Sequence, residues 1–180
     1  MIETQRLILR PWRDDDLAPF AAMGRDPRVM AHFPTLMNEV QSKAMAVRIM
    51  NHIGVHKFGA WAMERKSDRR FIGFCGLSRV EFQAPVKDEI EIGWRLAHQY
   101  WGQGYVHEAA HASLAHGFET LALPRIVSFT VPGNTRSWGL MQRLGMDRAE
   151  ALDFEHPALP PGHPLRPHVV YVKATQSGGS

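Results

Sequence analysis

Polar and apolar positions alternate along Thr4-Gln5-Arg6-Leu7-Ile8-Leu9-Arg10, the pattern of a strand with one face buried. Pro11 ends that run. Asp14-Asp15-Asp16 then offer an acidic start to a helix over Leu17–Met23, where negative charge meets the positive end of the helix dipole. Helical spacing returns between Asn38 and His52: Val40, Ala44, Val47 and Ile49-Met50 recur a turn apart, Asn38 stands where a cap belongs, and Gly54 and Gly59 mark the exit. Two strands follow, Ala60–Glu64 and Phe71–Leu77, with the polar turn Arg65–Arg70 between them as in a hairpin. From Asp88 to Leu96 the alternation is strict and predicts a strand with Glu89 and Glu91 on one face, Ile90 and Ile92 on the other.

After Gly102 and Gly104 the period becomes helical, with Ala109, Ala112, Leu114-Ala115 and Phe118 on the apolar side. Ile126–Val131 reads as a buried strand, and Ser137–Leu144 as a short helix that stops at Gly145. His156–His168 holds five prolines and three histidines in thirteen residues, so it reads as a stiff loop. Val169–Val172 is the last expected strand, pairing with the run around Ala149–Phe154. Strands and helices interleave without repeat or linker. The pattern predicts a single α/β (α+β) domain over residues 1–174 with one mixed sheet, and a disordered tail over residues 175–180.

Composition narrows the class of function. The 180 residues suit one domain, and 44% apolar with 22% charged residues excludes a disordered or fibrous chain. No apolar run reaches the length of a membrane span, and Met1–Arg6 lacks a signal-peptide core. With Cys75 as the lone cysteine, a reducing, cytoplasmic location is expected and a disulfide framework is not. The net charge of +3 is spread along the chain rather than clustered, which argues against nucleic-acid binding and suits a small anionic ligand.

Most of the candidate chemistry sits in one segment. Glu91 to Ala109 reads as strand, glycine-bearing loop, then helix, with Gly102 and Gly104 placed so that backbone amides at the helix start can approach phosphate oxygens. A nucleotide-hydrolase loop would end in Gly-Lys-Ser/Thr, which is absent. A dinucleotide fingerprint would need a third glycine where His107 stands. His107 and His111 share a helix face, yet no third ligand accompanies them and no metal is expected.

The segment Tyr100-Trp101-Gly102-Gln103-Gly104-Tyr105 resembles the acyl-CoA-binding motif of the GNAT N-acetyltransferase superfamily, in the form found in its Rim-type ribosomal-protein N-terminal acetyltransferase branch. Thr4-x-Arg6-Leu7-x-Leu9-Arg10, Gly93-Trp94-Arg95-Leu96, Val131-Pro132-Gly133-Asn134-Thr135-Arg136-Ser137 and Leu144-Gly145-Met146 match the same branch in order, so the resemblance spans residues 2–172. Trp101 and Val106 depart from the superfamily's general pattern, which has Arg/Gln and Gly/Ala at those places.

The resemblance implies a mostly antiparallel sheet of about seven strands, splayed between the fourth and fifth and flanked by about four helices. Acetyl-CoA would lie in the splay along the backbone of Trp94, Arg95 and Leu96. Its pyrophosphate would meet Trp101, Gly102, Gln103, Gly104, Tyr105 and Val106, and its pantetheine arm Asn134 and Ser137. The implied reaction is direct attack of a primary amine on the thioester in a ternary complex. Glu91 is the first candidate base and Glu89 the second, with a solvated strand face as the plain reading of both. Ser137 would protonate the leaving thiolate, cap the following helix, or both. Trp12, Phe33, Trp61, Arg166 and His168 are the candidate acceptor-pocket residues. The acceptor itself stays open, between a small-molecule amine and a protein N-terminus. Two other readings remain: a non-catalytic acyl-CoA sensor of the same fold, and a basic nucleic-acid-binding module. A homodimer is a further possibility that no segment decides.

Overall fold

A computed structural model describes residues 1–175; the expected tail, beyond Thr175, lies outside the described residues. Nine strands form the frame: β1 (Ile2–Glu3), β2 (Leu7–Arg10), β3 (Ala60–Arg65), β4 (Phe71–Arg79), β5 (Ile90–Leu96), β6 (Arg125–Thr130), β7 (Asp147–Arg148), β8 (Phe154–Glu155) and β9 (Pro167–Ala174). Among the described residues four α-helices accompany them: α1 (Leu17–Arg25), α2 (Glu39–His56), α3 (Tyr105–Ala115) and α4 (Thr135–Arg143). Six of the nine are longer strands and β1, β7 and β8 are two-residue pieces laid against them; the count exceeds the expected seven because β1 is extra and β7 and β8 stand near the place of one expected strand.

The sheet runs β1-β2-β3-β4-β5-β6-β9-β7, with β8 paired to β9. Every pairing is antiparallel except β5 with β6, which is parallel and holds through a single register pair, Glu91 with Val127. Ser128 Oγ donates to Ile92 O at 2.9 Å and pins the strands at that point. Beyond it they separate, so Gly93–Leu96 have a β4 neighbour on one side and no β6 neighbour on the other. The expected splay is therefore present, between the fourth and fifth of the longer strands.

Alternating side chains divide the core between the two faces of the sheet. Leu7, Leu9, Met63, Ile72 and Ile92, all fully buried, pack on the α3 side with Ala109 and Leu114. Trp12, Phe20, Ala62, Phe74 and Ala46 fill the side covered by α1 and α2. Burying a side chain such as Phe20 stabilises by about 2–3 kcal/mol. A third cluster, Val80, Val86, Val127, Phe154 and Val170, closes the far end. The buried charges Arg10, Asp16 and Glu64 pair with one another: Arg10 reaches Asp16 at 2.7 Å and Glu64 at 2.5 Å.

Three local expectations need correction. α2 continues through Gly54 to His56, and the helix closes only where Lys57 adopts a left-handed φ of 65° and its N–H bonds back to Ile53 O. The strand expected from Asp88 begins at Ile90, since Asp88 takes a left-handed turn (φ 68°) and Glu89 N–H donates to Val86 O. The final strand is longer than Val169–Val172 and pairs with β6 from Val169 to Ala174; the expected partner run contributes only short pairs, β8 against its first two residues and β7 against Tyr171 and Val172. Among the described residues no helix is long and apolar enough to cross a membrane.

Candidate active site

The parting of β5 from β6 opens a continuous cleft of about 2480 Å³ that runs from the start of α3 to the tip of the β8–β9 hairpin. At one end stands the turn Trp101–Gly104. Gly102 and Gly104 carry φ of 74° and 78°, left-handed values that strain any residue with a Cβ. No side chain caps α3 at Gly104, and the amides of its first turn, Tyr105 to His107, have no carbonyl one turn earlier within the helix. Unclaimed donors at the positive end of a helix dipole form an anion site by construction.

Arg6 holds that turn from beneath. Its guanidinium donates to Gln103 O at 2.9 Å and pairs with Glu108 at 2.7 Å, while Glu108 also accepts from Thr4 Oγ1 and the Arg6 amide. Neither Arg6 nor Glu108 stood out in the sequence as a site residue; they lie 102 positions apart, so no local spacing joins them. Trp101 Nε1 donates to Leu96 O at 2.8 Å and thereby ties the turn to the end of β5. The Arg136 guanidinium sits 4.7 Å from the Trp101 ring, and Arg136 and Arg143 bring positive charge to the cleft lining. Val106 lines the cleft with its side chain partly packed on the α3-side core.

The cleft wall brings together most of the residues named from the sequence. Glu91, Trp94, Arg95, Leu96, Trp101, Gly102, Gly104, Val106, Asn134 and Ser137 all line it. Gln103 turns its side chain back to Gln99 O, and Tyr105 is buried beneath Arg6, so these two face the cleft with backbone at most.

Glu91 lies where the strands part. Its side chain keeps partial contact with the cleft but is enclosed by protein, and burial alone pushes its carboxyl up to about 8. No cation pairs with it among the described residues. Glu89, by contrast, is held in an ion pair with Arg125 of β6 and does not line the cleft, so it is no longer a candidate base. Glu89 and Glu91 keep the same face of the sheet, one beside Arg125 and the other beside Val127, and it is the Arg125 ion pair that separates their environments.

Asn134, not Ser137, is the N-cap of α4: its side-chain oxygen accepts from the Ser137 amide at 3.4 Å. Its Nδ2 donates to Thr130 Oγ1 at 2.9 Å and to Ser137 Oγ at 3.1 Å. Ser137 Oγ thus accepts one hydrogen bond, and its own proton is left to point elsewhere.

The acceptor-pocket expectations divide. Phe33 and His168 line the cleft; His168 stacks on Phe154 at 5.3 Å and approaches His156 at 5.2 Å, and burial lowers its pKa. Trp12 and Trp61 do not line it. Both are 6% exposed; Trp12 donates to Ala60 O beneath α1, and Trp61 packs in the α3-side core. Arg166 turns away to Glu155 at 3.0 Å. Aromatics at strand ends and arginines in loops look alike in sequence whichever way the chain turns them. His107 and His111 stack, ring centroids 6.4 Å apart, and no group of three or more metal-binding side chains forms among the described residues.

Comparison with known proteins agrees with this geometry. Residues 6–147 match the family model for the acetyltransferase (GNAT) domain, and the chain belongs to that family. It is 27% identical over 168 residues to an FsC-acetyl coenzyme A-N(2)-transacetylase of Aspergillus fumigatus, covering 89% of this chain and 71% of that protein. An acetyltransferase from Agrobacterium tumefaciens superposes with a TM-score of 0.78 at 26% identity, over 97% of this chain and 94% of that one. The Rim-type fold is shared too: Mycobacterium smegmatis RimJ, solved with a CoA-disulfide, superposes with a TM-score of 0.73 at 18% identity, over 97% and 84%. The protein is thus an acetyltransferase by family.

Proposed function

We propose that the protein transfers the acetyl group of acetyl-CoA to a primary amine by direct attack within a ternary complex. The observation that carries this reading is the edge of β5 over Gly93–Leu96, which β6 leaves uncovered, leading straight to the capless amino end of α3. An extended amide-bearing arm can add to the free edge as a strand would, and a pyrophosphate can meet the Gly102–Val106 amides with Arg136 nearby. The residues present fit the pantetheine arm and the pyrophosphate of CoA in chemistry.

The amine would approach from the α1–α2 side of the cleft, past Phe33. Its nitrogen forms a bond to the thioester carbonyl carbon while the carbon–sulfur bond breaks. Glu91, with a carboxyl near 8, accepts the amine proton directly or through a water, a value close to the pH at which the transfer must run. Ser137, whose hydroxyl proton is not engaged by Asn134, supplies the proton that the departing thiolate takes up and regains one from solvent, to which Glu91 returns the amine proton. The product pair is an N-acetyl amine and CoA.

The test is calorimetric titration with acetyl-CoA against wild type and Gly104→Glu, followed by a thiol-release screen of amine acceptors. Micromolar binding that is lost in the variant, with CoA released only when an amine is present, supports the reading. Binding without release on any amine refutes the enzymatic half and leaves an acyl-CoA-binding protein; no binding refutes both halves.

A further inference from the structure

Arg95 is 6% exposed and lines the cleft on the face of β5 turned toward α1 and α2. No carboxylate pairs with it among the described residues. Its Nε has no hydrogen-bond partner, and one terminal nitrogen finds only the sulfurs of Met37 (3.6 Å) and Met45 (3.9 Å). Aromatic rings surround the rest: Phe33 at 4.6 Å, Phe74 at 5.6 Å and Phe20 at 5.7 Å from the guanidinium carbon. Rings and thioethers supply weak compensation for a buried cation, far less than a paired anion does. A guanidinium in this setting presents a planar fork of donors to an apolar wall of a substrate cleft, the arrangement that selects a carboxylate.

Its position on the strand says which part of the substrate it meets. Glu91, Gly93 and Arg95 share one face of β5, and Gly93 puts no side chain between the two ionisable groups. The Glu91 carboxyl leans over that gap, Oε1 lying 3.6 Å from where a Cβ on residue 93 would be. Four residues of strand separate the two Cα atoms by about 13 Å. The lean of Glu91 over Gly93 shortens that span from its end, so that one small molecule lying along this face can touch a base at one end and a guanidinium at the other.

We propose that Arg95 binds a carboxylate of the acceptor, and that the acceptor is a primary amine that itself carries a carboxylate, of the amino-acid class. This rests on the acetyl-transfer reading above and narrows its substrate. A polyamine would set positive charge against an unpaired buried cation, and an uncharged amine would leave that cation without a partner. The acid places its ammonium toward Glu91 and its carboxylate on Arg95, so that each end of the molecule supplies the charge its neighbour lacks.

The experiment measures thiol release with a panel of L-amino acids and ω-amino acids, their carboxamides, diamines and an aminoglycoside, for wild type, Arg95→Met and Arg95→Gln. Wild type is expected to turn over at least one acid with a kcat/KM about ten- to a hundredfold above its carboxamide, the range for a charge-assisted hydrogen bond. Both variants are expected to erase that ratio through KM. Thermal unfolding separates binding from mere packing. Arg95→Met is expected to melt at or above the wild-type temperature, because an unpaired buried charge gives way to an apolar chain of similar length.

Carboxamides or diamines preferred by wild type would overturn the proposal while leaving acetyl transfer intact. A fall in melting temperature for both variants, with the acid-to-amide ratio unmoved, would make Arg95 a packing residue and overturn it equally. If no amine is acetylated, the acetyl-transfer reading fails. Arg95 is then judged by titrating the CoA-saturated protein with N-acetyl amino acids and their carboxamides, where equal affinity overturns the proposal.

Discussion

Replacing Glu91 with Gln is the sharpest probe of the proposed chemistry. Burial holds its carboxyl near 8, whereas an exposed glutamate titrates near 4.5. A base with that value is about one-tenth ionised at pH 7, half at pH 8 and nine-tenths at pH 9. The kcat of wild type should therefore climb roughly tenfold between pH 7 and 9 and then level off. An aromatic acceptor amine, already neutral at pH 7, keeps the acceptor's own titration out of the profile. Glu91→Gln should lose the step and lower kcat by about 10²- to 10⁴-fold, the usual range for a positioned proton acceptor.

Stability supplies an independent reading of the same group. The folded protein favours the protonated carboxyl, so this contribution is fully present below pH 4.5, declines as the unfolded chain ionises, and is lost by about pH 8. Across that window the loss sums to at most about 5 kcal/mol. Urea titrations at pH 5 and pH 8 should show wild type losing stability by a margin that Glu91→Gln does not. A flat kcat profile for wild type, or a profile identical in the variant, would refute Glu91 as the base. Equal pH sensitivity of the two proteins in urea would refute its burial-driven shift.

Arg6→Ala should raise the KM for acetyl-CoA about tenfold with little change in kcat, because it frees the Gln103 carbonyl and Glu108 without touching the reacting atoms; initial rates at varied acetyl-CoA check this. Ser137→Ala should lower kcat by at least about tenfold while calorimetric acetyl-CoA affinity stays near wild type, since Asn134 retains Thr130 as a partner; an unchanged kcat would remove Ser137 as proton donor. Glu64→Ala should destabilise by about 3–5 kcal/mol in urea, because it strands the buried Arg10 with Asp16 alone, and an effect below about 1 kcal/mol would mean the network is not held tightly.

What the sequence made legible follows from how local each signal is. The turn Trp101–Gly104 and the helix behind it could be read because glycines, apolar spacing and the preceding strand are contiguous. The parting of β5 and β6 came through family resemblance, since nothing inside either strand announces which neighbour it will leave. Arg6 stayed hidden because its partners sit about a hundred residues away on another element. Glu89 keeps the face that period-two alternation gives it, beside Glu91, and is withdrawn from the chemistry by Arg125, a partner 36 residues on that no local spacing announces. Trp12 and Trp61 carry the composition of a pocket wall or of a core equally well, and only the packing of α1 and α3 on the sheet decides between them. Arg95 was read for its backbone alone, because isolation is a property of what surrounds a side chain in space.

That isolation gains its meaning by contrast with the rest of the molecule. Where this fold buries charge for its own structure it balances it: Arg10 is matched by Asp16 and Glu64, and Arg13 and Arg69 reach the same carboxylate from the rim. Glu91 and Arg95 break that habit. Both are enclosed, neither has an opposite charge against it among the described residues, and burial displaces each toward its neutral form, Glu91 up to about 8 and Arg95 down to about 10. Uncompensated charge is destabilising wherever it sits, yet here two such groups lie on one face of one strand, at the place where β5 and β6 part. A partner that the fold does not provide is one that a ligand can provide. On the acetyl-transfer reading, the instability of the empty cleft and the selectivity of the filled one have the same source, so variants that quench either charge should gain stability and lose discrimination together.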